Sequence, residues 1–267
     1  MNIFITGAAS GIGQALAFRI SRPGITLHLC DINTEALELT AQESRTRGAR
    51  VTCHPIDVRN RESMEDWLMD QNIPRMDMLF ACAGITGGRP PADLDGISIE
   101  REERVREMFD INLNGALNTL LPAIRRMRTQ SPDSRGMRGR ITVMASVAGF
   151  VAYPGTPSYS ASKSALDRFA VSEAPALAQA GISLTSVCCG FVDSPMVARN
   201  RFPMPGLVSP ADAAQRILRG TLRGDRRVIF PRWLVFGSRL VDLLPPRLME
   251  LYYCRQPSAQ PAGMPDF

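Results

Sequence analysis

Short apolar runs alternate along the chain with longer segments in which apolar residues recur every three or four positions. Apolar runs of about four to eight residues between turn-forming residues predict strands, and the longer spacing predicts helices with one buried face. Strands are predicted near 2–6, 25–30, 51–55, 78–82, 140–145, 183–188 and 226–230, and helices near 12–21, 33–47, 61–70, 100–128, 157–180 and 210–222. This alternation predicts an α/β fold with a parallel sheet covered by helices on both faces.

A glycine-rich turn links the first predicted strand to the first predicted helix. Gly7, Gly11 and Gly13 give it the spacing G-x-x-x-G-x-G. Small residues let the backbone approach a pyrophosphate, and a helix N-terminus offers free N–H groups to it. Asp31 ends the second predicted strand, about 20 residues past the glycines, where an acid would hold an adenosine ribose. The pattern predicts a dinucleotide site.

The only lysine of the chain lies four residues after a tyrosine. All other members of the Lys+Arg set of 31 are arginine, and Lys163 follows Tyr159 within a predicted helix. Residues four apart share a helix face, so the ammonium is expected to lower the pKa of the phenol. A tyrosine with a lowered pKa can act as acid or base near neutral pH. The spacing also arises by chance, so the hypothesis depends on further motifs.

Together with two more motifs, these features resemble the short-chain dehydrogenase/reductase family over roughly residues 1–232. Asn112 lies in an Ile-Asn-Leu-Asn-Gly segment, and Ser146 precedes Tyr159 by 13 residues, as the family's active-site asparagine and serine do. The resemblance implies that Ser146 donates a hydrogen bond to the substrate oxygen and that Tyr159 exchanges a proton with it. It further implies that Lys163 binds the nicotinamide ribose, and that Asn112 holds a backbone carbonyl or a water.

The same resemblance implies a Rossmann-like, doubly wound sheet of seven parallel strands in one catalytic domain, residues 1–232. A helical C-terminal extension, residues 233–267, follows it. The expected activity is NAD(H)-dependent interconversion of a secondary alcohol and a ketone. NAD(H) is expected over NADP(H) because the Asp31 carboxylate accepts ribose hydroxyl groups and repels a 2′-phosphate. The expected cofactor contacts are Thr6, Gly7, Ser10, Gly11, Ile12, Gly13, Asp31, Asp57, Val58, Cys82, Ala83, Gly84, Tyr159, Lys163, Gly190, Val192 and Ser194.

Two cysteines stand where the family has other residues. Cys82 replaces an asparagine after the fourth predicted strand, and Cys189 replaces a proline after the sixth. The first change is expected to reduce backbone rigidity near the cofactor. The second removes a fixed φ and is expected to loosen the loop beside the nicotinamide.

Composition narrows the class of protein. An apolar content of 45% excludes a disordered chain, and a dispersed net charge of +5 does not indicate nucleic-acid binding. No run of 18 apolar residues indicates a spanning helix, and the strand beginning at residue 2 leaves no room for a signal peptide, so a cytoplasmic enzyme is expected. The six cysteines form no C-x-x-C pair and are expected to be reduced. With two histidines, both in predicted strands, no metal site is expected.

The substrate pocket is expected in the loops after the fourth, fifth and sixth strands, because ligands of such sheets bind at the carboxyl ends. These loops are rich in apolar residues, which favours an apolar alcohol or ketone. The residues expected to contact substrate are Phe150, Tyr153, Phe191 and Met196.

The C-terminal extension mixes apolar residues with arginines. It is interpreted as a lid, as a contact in a homodimer or homotetramer, or as a surface that touches a membrane or an apolar ligand. Two other functions stay open: a catalytically silent NAD-binding sensor or scaffold, and a membrane-associated lipid-binding protein. The joint presence of Ser146, Tyr159 and Lys163 favours an enzyme.

Overall fold

One sheet of seven parallel strands organises the residues that the computed structural model describes, which are 1–87, 99–152, 155–198, 203–241, 243–245 and 247–248. The strand order is β3-β2-β1-β4-β5-β6-β7. The strands are β1 Asn2–Thr6, β2 Thr26–Cys30, β3 Arg50–His54, β4 Met78–Ala81, β5 Gly139–Met144, β6 Ile182–Cys189 and β7 Arg227–Phe230. The predicted doubly wound α/β fold is therefore confirmed.

Helices connect the strands, and several begin at side chains that cap them. Asn33, Asn60 and Ser209 each accept a hydrogen bond from a backbone N–H of the following first turn, which would otherwise lack a partner. The helices are α1 Gly11–Ile20, α2 Thr34–Thr46, α3 Arg61–Leu68, α4 Glu102–Phe109, α5 Ala116–Thr129, α6 Pro157–Gln179, α7 Pro210–Arg223 and α8 Arg232–Val241.

The sheet is buried on both faces because successive strand side chains point to opposite sides. In β1, Ile3 and Ile5 pack with apolar residues of α1, α2 and α7. Phe4, between them, belongs to the opposite cluster, which includes residues of α3, α5 and α6. Such two-sided burial is why the strands appear in the sequence as continuous apolar runs.

The strand order reverses direction between β1 and β4, because the chain first builds outward to β3 and then returns to the other side of β1. At such a reversal the connections leave to opposite faces of the sheet, and a crevice opens at the carboxyl ends of the strands. The ends of β1 to β6 carry the residues of the candidate site.

The predicted continuous helix over 100–128 is wrong. The structure divides it into α4, a π-helical segment at Asp110–Gly115, and α5. A π-helical turn accommodates an additional residue and re-aims side chains, and such turns are frequent at functional sites. The segment Asp-Ile-Asn-Leu-Asn-Gly contains weak helix formers, which is the sequence signal for the break. The other predicted ends lie within two residues of those observed.

α8 begins at Arg232, directly after β7 and Pro231, and therefore one residue before the predicted C-terminal extension. The division of the chain at residue 232 stays a prediction. Within the described part of the chain, no helix has both the length and the apolar character needed to cross a membrane.

Candidate active site

The turn between β1 and α1 approaches the neighbouring strand ends closely, which only glycine permits. Gly7 has φ +65°, and a Cβ on it would lie 2.6 Å from the Ala83 nitrogen. A Cβ on Gly13 would clash with the Gly7 carbonyl oxygen. The first turn of α1 lines the cavity at the sheet end. This arrangement of small residues and helix N-terminus fits a phosphate group.

Asp31 follows β2 and holds the glycine turn with its carboxylate. Its Oδ2 accepts a hydrogen bond from the Ala9 nitrogen at 3.0 Å, and its Oδ1 accepts one from the Asn33 nitrogen at 3.0 Å. Each carboxylate oxygen has a second acceptor site. Because Asp31 also lines the cavity, it can accept hydroxyl donors from a bound ligand there.

Asp57 follows β3 and forms an ion pair at the same end of the cavity. The Arg59 guanidinium donates to both of its carboxylate oxygens, at 2.5 to 3.1 Å. These hydrogen bonds hold the pKa of Asp57 below its ordinary value. Arg59 also lines the cavity, so the adenosine end that the sequence predicts contains a cation already paired with an acid.

Asn112 lies in the π-helical segment and pairs with the backbone of one residue. Its Oδ1 accepts from the Ile85 nitrogen at 2.8 Å, and its Nδ2 donates to the Ile85 carbonyl oxygen at 2.9 Å. The side chain is fully buried and lies outside the cavity lining. Asn112 therefore holds the backbone that follows β4, in agreement with the backbone-holding role that the resemblance implies.

Ser146 follows β5 and caps the 3-10 helix Val147–Phe150. Its Oγ accepts from the Ala148 nitrogen at 3.1 Å and donates to the Cys189 carbonyl oxygen at 3.4 Å. The side chain is buried but lines the cavity. Ser146 is thus held between the ends of β5 and β6.

Tyr159 and Lys163 lie one turn apart on α6, as the sequence predicts, and both line the cavity. The Lys163 Nζ lies 5.8 Å from the centre of the Tyr159 ring. It donates to the Met144 carbonyl oxygen at 2.7 Å, at the end of β5. The ammonium is therefore fixed to the sheet while it faces the phenol.

The pKa of the phenol differs from the prediction. The pKa of Tyr159 is raised to about 12, mainly by burial and to a smaller extent by the neighbouring Cys189, while a hydrogen bond with Ser146 acts in the opposite direction. Burial also lowers the pKa of Lys163 to about 8. The predicted lowering of the tyrosine pKa is absent because removal of the phenol from water is the largest effect on it.

Cys82 and Cys189 line the cavity with Lys163 and influence its pKa. Burial raises the pKa of Cys82 to about 12 and that of Cys189 to about 11, so both are neutral thiols. The backbone beside each is bonded: the Cys82 nitrogen donates to Thr6 at 3.2 Å, and the Gly190 nitrogen donates to Phe230 at 2.8 Å. The five described cysteines are free.

A cavity of about 800 Å³ joins these elements into one site at the carboxyl ends of the strands. Its size suits a small-molecule ligand. The predicted residues that line it are Gly7, Ser10, Gly11, Ile12, Gly13, Asp31, Asp57, Val58, Cys82, Ala83, Gly84, Ser146, Tyr159, Lys163, Gly190, Phe191, Val192, Ser194 and Met196.

Two predicted contacts lie elsewhere. Thr6 is buried below the glycine turn, where its hydroxyl accepts from the Ala83 nitrogen at 3.3 Å, so it supports the turn instead of lining the cavity. Phe150 packs under the Arg227 guanidinium, 5.5 Å from its ring centre, and is absent from the lining. Tyr153, predicted to contact substrate, falls outside the described residues.

The sequence prediction missed residues that complete the cavity. Leu234 reaches it from α8, and Pro203 and Pro205 reach it from the segment before α7. The apolar composition of the extension was a signal for Leu234, but the spacing of residues could not place α8 beside the cavity. Among the residues that the structure describes, no group of three or more His, Cys, Asp or Glu side chains could hold a metal ion.

Comparison with known proteins identifies the family of the chain. The family model described as short chain dehydrogenase matches residues 1–203. An uncharacterised oxidoreductase of Myxococcus xanthus is 31% identical over 92% of this chain and 93% of its own length. Epidermal retinol dehydrogenase 2 of Mus musculus is 30% identical over 91% of this chain and 78% of its own length.

A solved structure shares the fold. A short-chain dehydrogenase from Mycobacterium paratuberculosis, bound to NAD, superposes with a TM-score of 0.72 at 23% identity, over 88% of this chain and 97% of the other. The family match over residues 1–203 includes the glycine turn and the Ser146, Tyr159 and Lys163 positions. The chain belongs to the short-chain dehydrogenase/reductase family of oxidoreductases.

Proposed function

We propose that the protein is an NAD(H)-dependent oxidoreductase that interconverts a secondary alcohol and a ketone on a largely apolar substrate. The observation that carries this proposal is the convergence of Ser146, Tyr159 and Lys163 on the same cavity as the glycine turn. A nucleotide-binding scaffold without activity needs the turn but has no use for the other three side chains.

The cavity fits a nicotinamide dinucleotide. Gly7 lets the turn lie against the backbone of Cys82 and Ala83, and Gly11, Ile12 and Gly13 at the N-terminus of α1 line the cavity beside it. Asp31 lies at the neighbouring strand end, where its carboxylate would accept the ribose hydroxyls of NAD and repel the 2′-phosphate of NADP. Ile32, the next residue, lines the cavity and brings no positive charge to offset that repulsion. The similar Mycobacterium protein binds NAD, which supports the same choice.

The residues of this chain would orient the substrate and transfer the proton. The nicotinamide cofactor, when bound, supplies the hydride chemistry. Ser146 would orient the substrate oxygen by donating its hydroxyl hydrogen, and Tyr159 would donate a proton to that oxygen during reduction. Lys163 would hold the nicotinamide ribose and its charge would stabilise the phenolate left behind.

The raised pKa of Tyr159 favours an acid role for its phenol. With a pKa of about 12, the phenol is neutral at pH 7 and ready to donate. Alcohol oxidation needs a phenolate, so it requires a lower pKa when ligands are bound. We therefore expect ketone reduction to be less dependent on pH than alcohol oxidation between about pH 6 and pH 8.

The substrate class follows from the lining beyond the catalytic residues. Phe191, Met196 and Leu234 make that part of the cavity apolar. Epidermal retinol dehydrogenase 2 of Mus musculus bears the name of an apolar alcohol as its substrate, which agrees with this lining. We propose a lipophilic secondary alcohol or ketone.

The direct test is a screen of alcohols and ketones of increasing apolar size, followed by the absorbance of the reduced nicotinamide. The expected result is turnover that improves with apolar size and a higher kcat/KM with NAD(H) than with NADP(H). The double change Asp31→Ala with Ile32→Arg should reverse the cofactor preference. Absence of turnover on every compound, with dinucleotide still bound, would favour the silent sensor instead.

The oligomeric state and the cellular location of the protein are also proposals. A homodimer or homotetramer in the cytoplasm is proposed from the resemblance to the family and from the free cysteines of the described residues. Light scattering of the purified chain would test the assembly, and fractionation of cells would test the location.

A further inference from the structure

The last described helix, α8, forms one edge of the cavity. Pro231 precedes α8, and its ring packs closely against Gly190 and Gly206. A Cβ atom on either glycine would lie within 2.9 Å of that ring. From the first turns of α8, Leu234 lines the cavity and Val235 is buried. One face of α8 therefore packs against the rest of the protein.

The opposite face of α8 is apolar as well. Trp233 and Phe236 lie three residues apart, which places them on one side of a helix, and they are 58% and 69% exposed. Leu243, Leu244 and Leu248 follow with exposures of 81%, 41% and 52%. These five residues, named here the tail rim, expose large apolar side chains on α8, which borders the cavity, and in the segment that follows it. Grouped exposure of large apolar side chains marks a candidate binding surface.

The charges around the tail rim have one predominant sign. Residues 232–248 contain three arginines and one aspartate, and Arg232 and Arg247 are exposed. Arginine beside tryptophan and leucine is typical of helices that lie in the headgroup region of a bilayer, where the cation meets anionic lipid and the apolar rings enter the acyl boundary. A second copy of this chain docked rim to rim would instead bring like charges together.

We propose that the tail rim docks on the surface of a bilayer containing anionic lipid. The helix lies on the membrane with Trp233 and Phe236 inserted, while Leu234 keeps its place at the cavity. Docking would open the cavity next to the acyl region, so that a lipophilic alcohol or ketone could pass directly between bilayer and site. That last step rests on the proposed function; the docking itself does not.

The test is co-sedimentation of the full chain with phosphatidylcholine vesicles, with and without phosphatidylglycerol. The wild-type chain should sediment with the anionic vesicles and less so at high salt. The double variant Trp233→Ser with Phe236→Ser should lose at least about tenfold in vesicle affinity, because two large apolar side chains no longer leave water. A matched control, Leu39→Ser with Leu222→Ser, removes exposed leucines of α2 and α7 and should bind like the wild type.

Three results would overturn the proposal. The first is a wild-type chain that does not bind anionic vesicles, and the second is a tail-rim variant that sediments like the wild type. The third is a tail-rim variant whose mass in solution falls, because that result would identify a second copy of the chain as the partner that covers the tail rim. Turnover of a short, soluble ketone should be equal in the tail-rim variant and the control. Vesicle binding is measured without substrate. It therefore tests the docking proposal even if the proposed oxidoreductase activity is not found.

Discussion

The catalytic wall and the tail rim are built in opposite ways. The catalytic wall consists of Ser146, Tyr159 and Lys163, with Asn112 behind it, and the side chains of Asn112, Ser146 and Lys163 each hydrogen-bond to the backbone of a neighbouring strand end or loop. On the rim, Trp233 and Phe236 are exposed and no charged network holds them in the described part of the chain. The comparison teaches that buried hydrogen bonds hold the side chains to which proton transfer is assigned in the proposed function. The exposed apolar surface lies where substrate is proposed to enter.

The largest expected effect comes from removing the acid of the wall. Tyr159→Phe keeps the ring and loses the proton donor, so kcat should fall by about 10²-fold or more, the usual contribution of a general acid or base. Steady-state kinetics on a working ketone measures this. Dinucleotide affinity and the midpoint of thermal unfolding should stay close to wild type, and turnover near the wild-type level would contradict the assignment.

A second change tests whether the wall needs a compact ammonium. Lys163→Arg preserves charge, but a planar guanidinium cannot replace Nζ at the Met144 carbonyl oxygen, 2.7 Å away in a buried site. We expect a loss in kcat/KM of about tenfold or more, accompanied by weaker dinucleotide binding. Lys163→Met is the matched variant without charge. If the arginine variant equalled the wild type, the position would need only a positive charge.

A third change breaks the support behind the wall. Asp167 lies one turn beyond Lys163 on α6, is 3% exposed, and pairs with Arg227 of β7 at 2.7 Å and with Ser186 of β6 at 2.8 Å. Asp167→Asn leaves a partly buried guanidinium without its carboxylate and should lower the free energy of unfolding by about 3 kcal/mol. Urea denaturation measures it.

The control for that change is an exposed ion pair of similar length. Glu43→Gln removes the partner of Arg47 at 2.8 Å on α2, where both side chains are nearly half exposed, and should cost only about 0.5 kcal/mol. Equal losses in the two variants would mean that burial of the Asp167 pair adds nothing to stability.

The smallest expected effect is a pH dependence confined to the sheet. Burial lowers the pKa of His28 from 6.5 to about 4, so the unfolded chain takes up a proton before the folded chain does. The stability due to neutral His28 is fully present above about pH 6.5 and is lost as the pH falls toward 4. The slope should approach about 1.4 kcal/mol per pH unit for one proton.

Urea denaturation at several pH values between about 7 and 5 tests this. His28→Leu should flatten the slope, although His54, whose pKa burial also lowers, keeps part of it. A slope unchanged in His28→Leu would show that other groups titrate. The tail rim should contribute nothing to this dependence, because its members have no titratable side chain.

Local sequence was sufficient to predict much of the site, because its key residues lie close together in sequence. The glycine turn, Asp31 after β2, and the Tyr159–Lys163 pair each depend on one strand end or one helix turn, so spacing alone places them. Thr6 and Phe150 were misassigned to the cavity because the residues that they contact instead, Ala83 and Arg227, are distant in sequence.

The chain by itself determined the order of strands and helices, the glycine turn and the candidate catalytic side chains, because periodicity and local spacing record them. Only the tertiary structure decided the π-helical turn that aims Asn112 at Ile85, the burial that raises the pKa of Tyr159, and the position of α8 at the cavity edge. These features depend on which distant segments share a volume. Burial and pairing across strands arise from packing, and packing is a property of the folded chain as a whole.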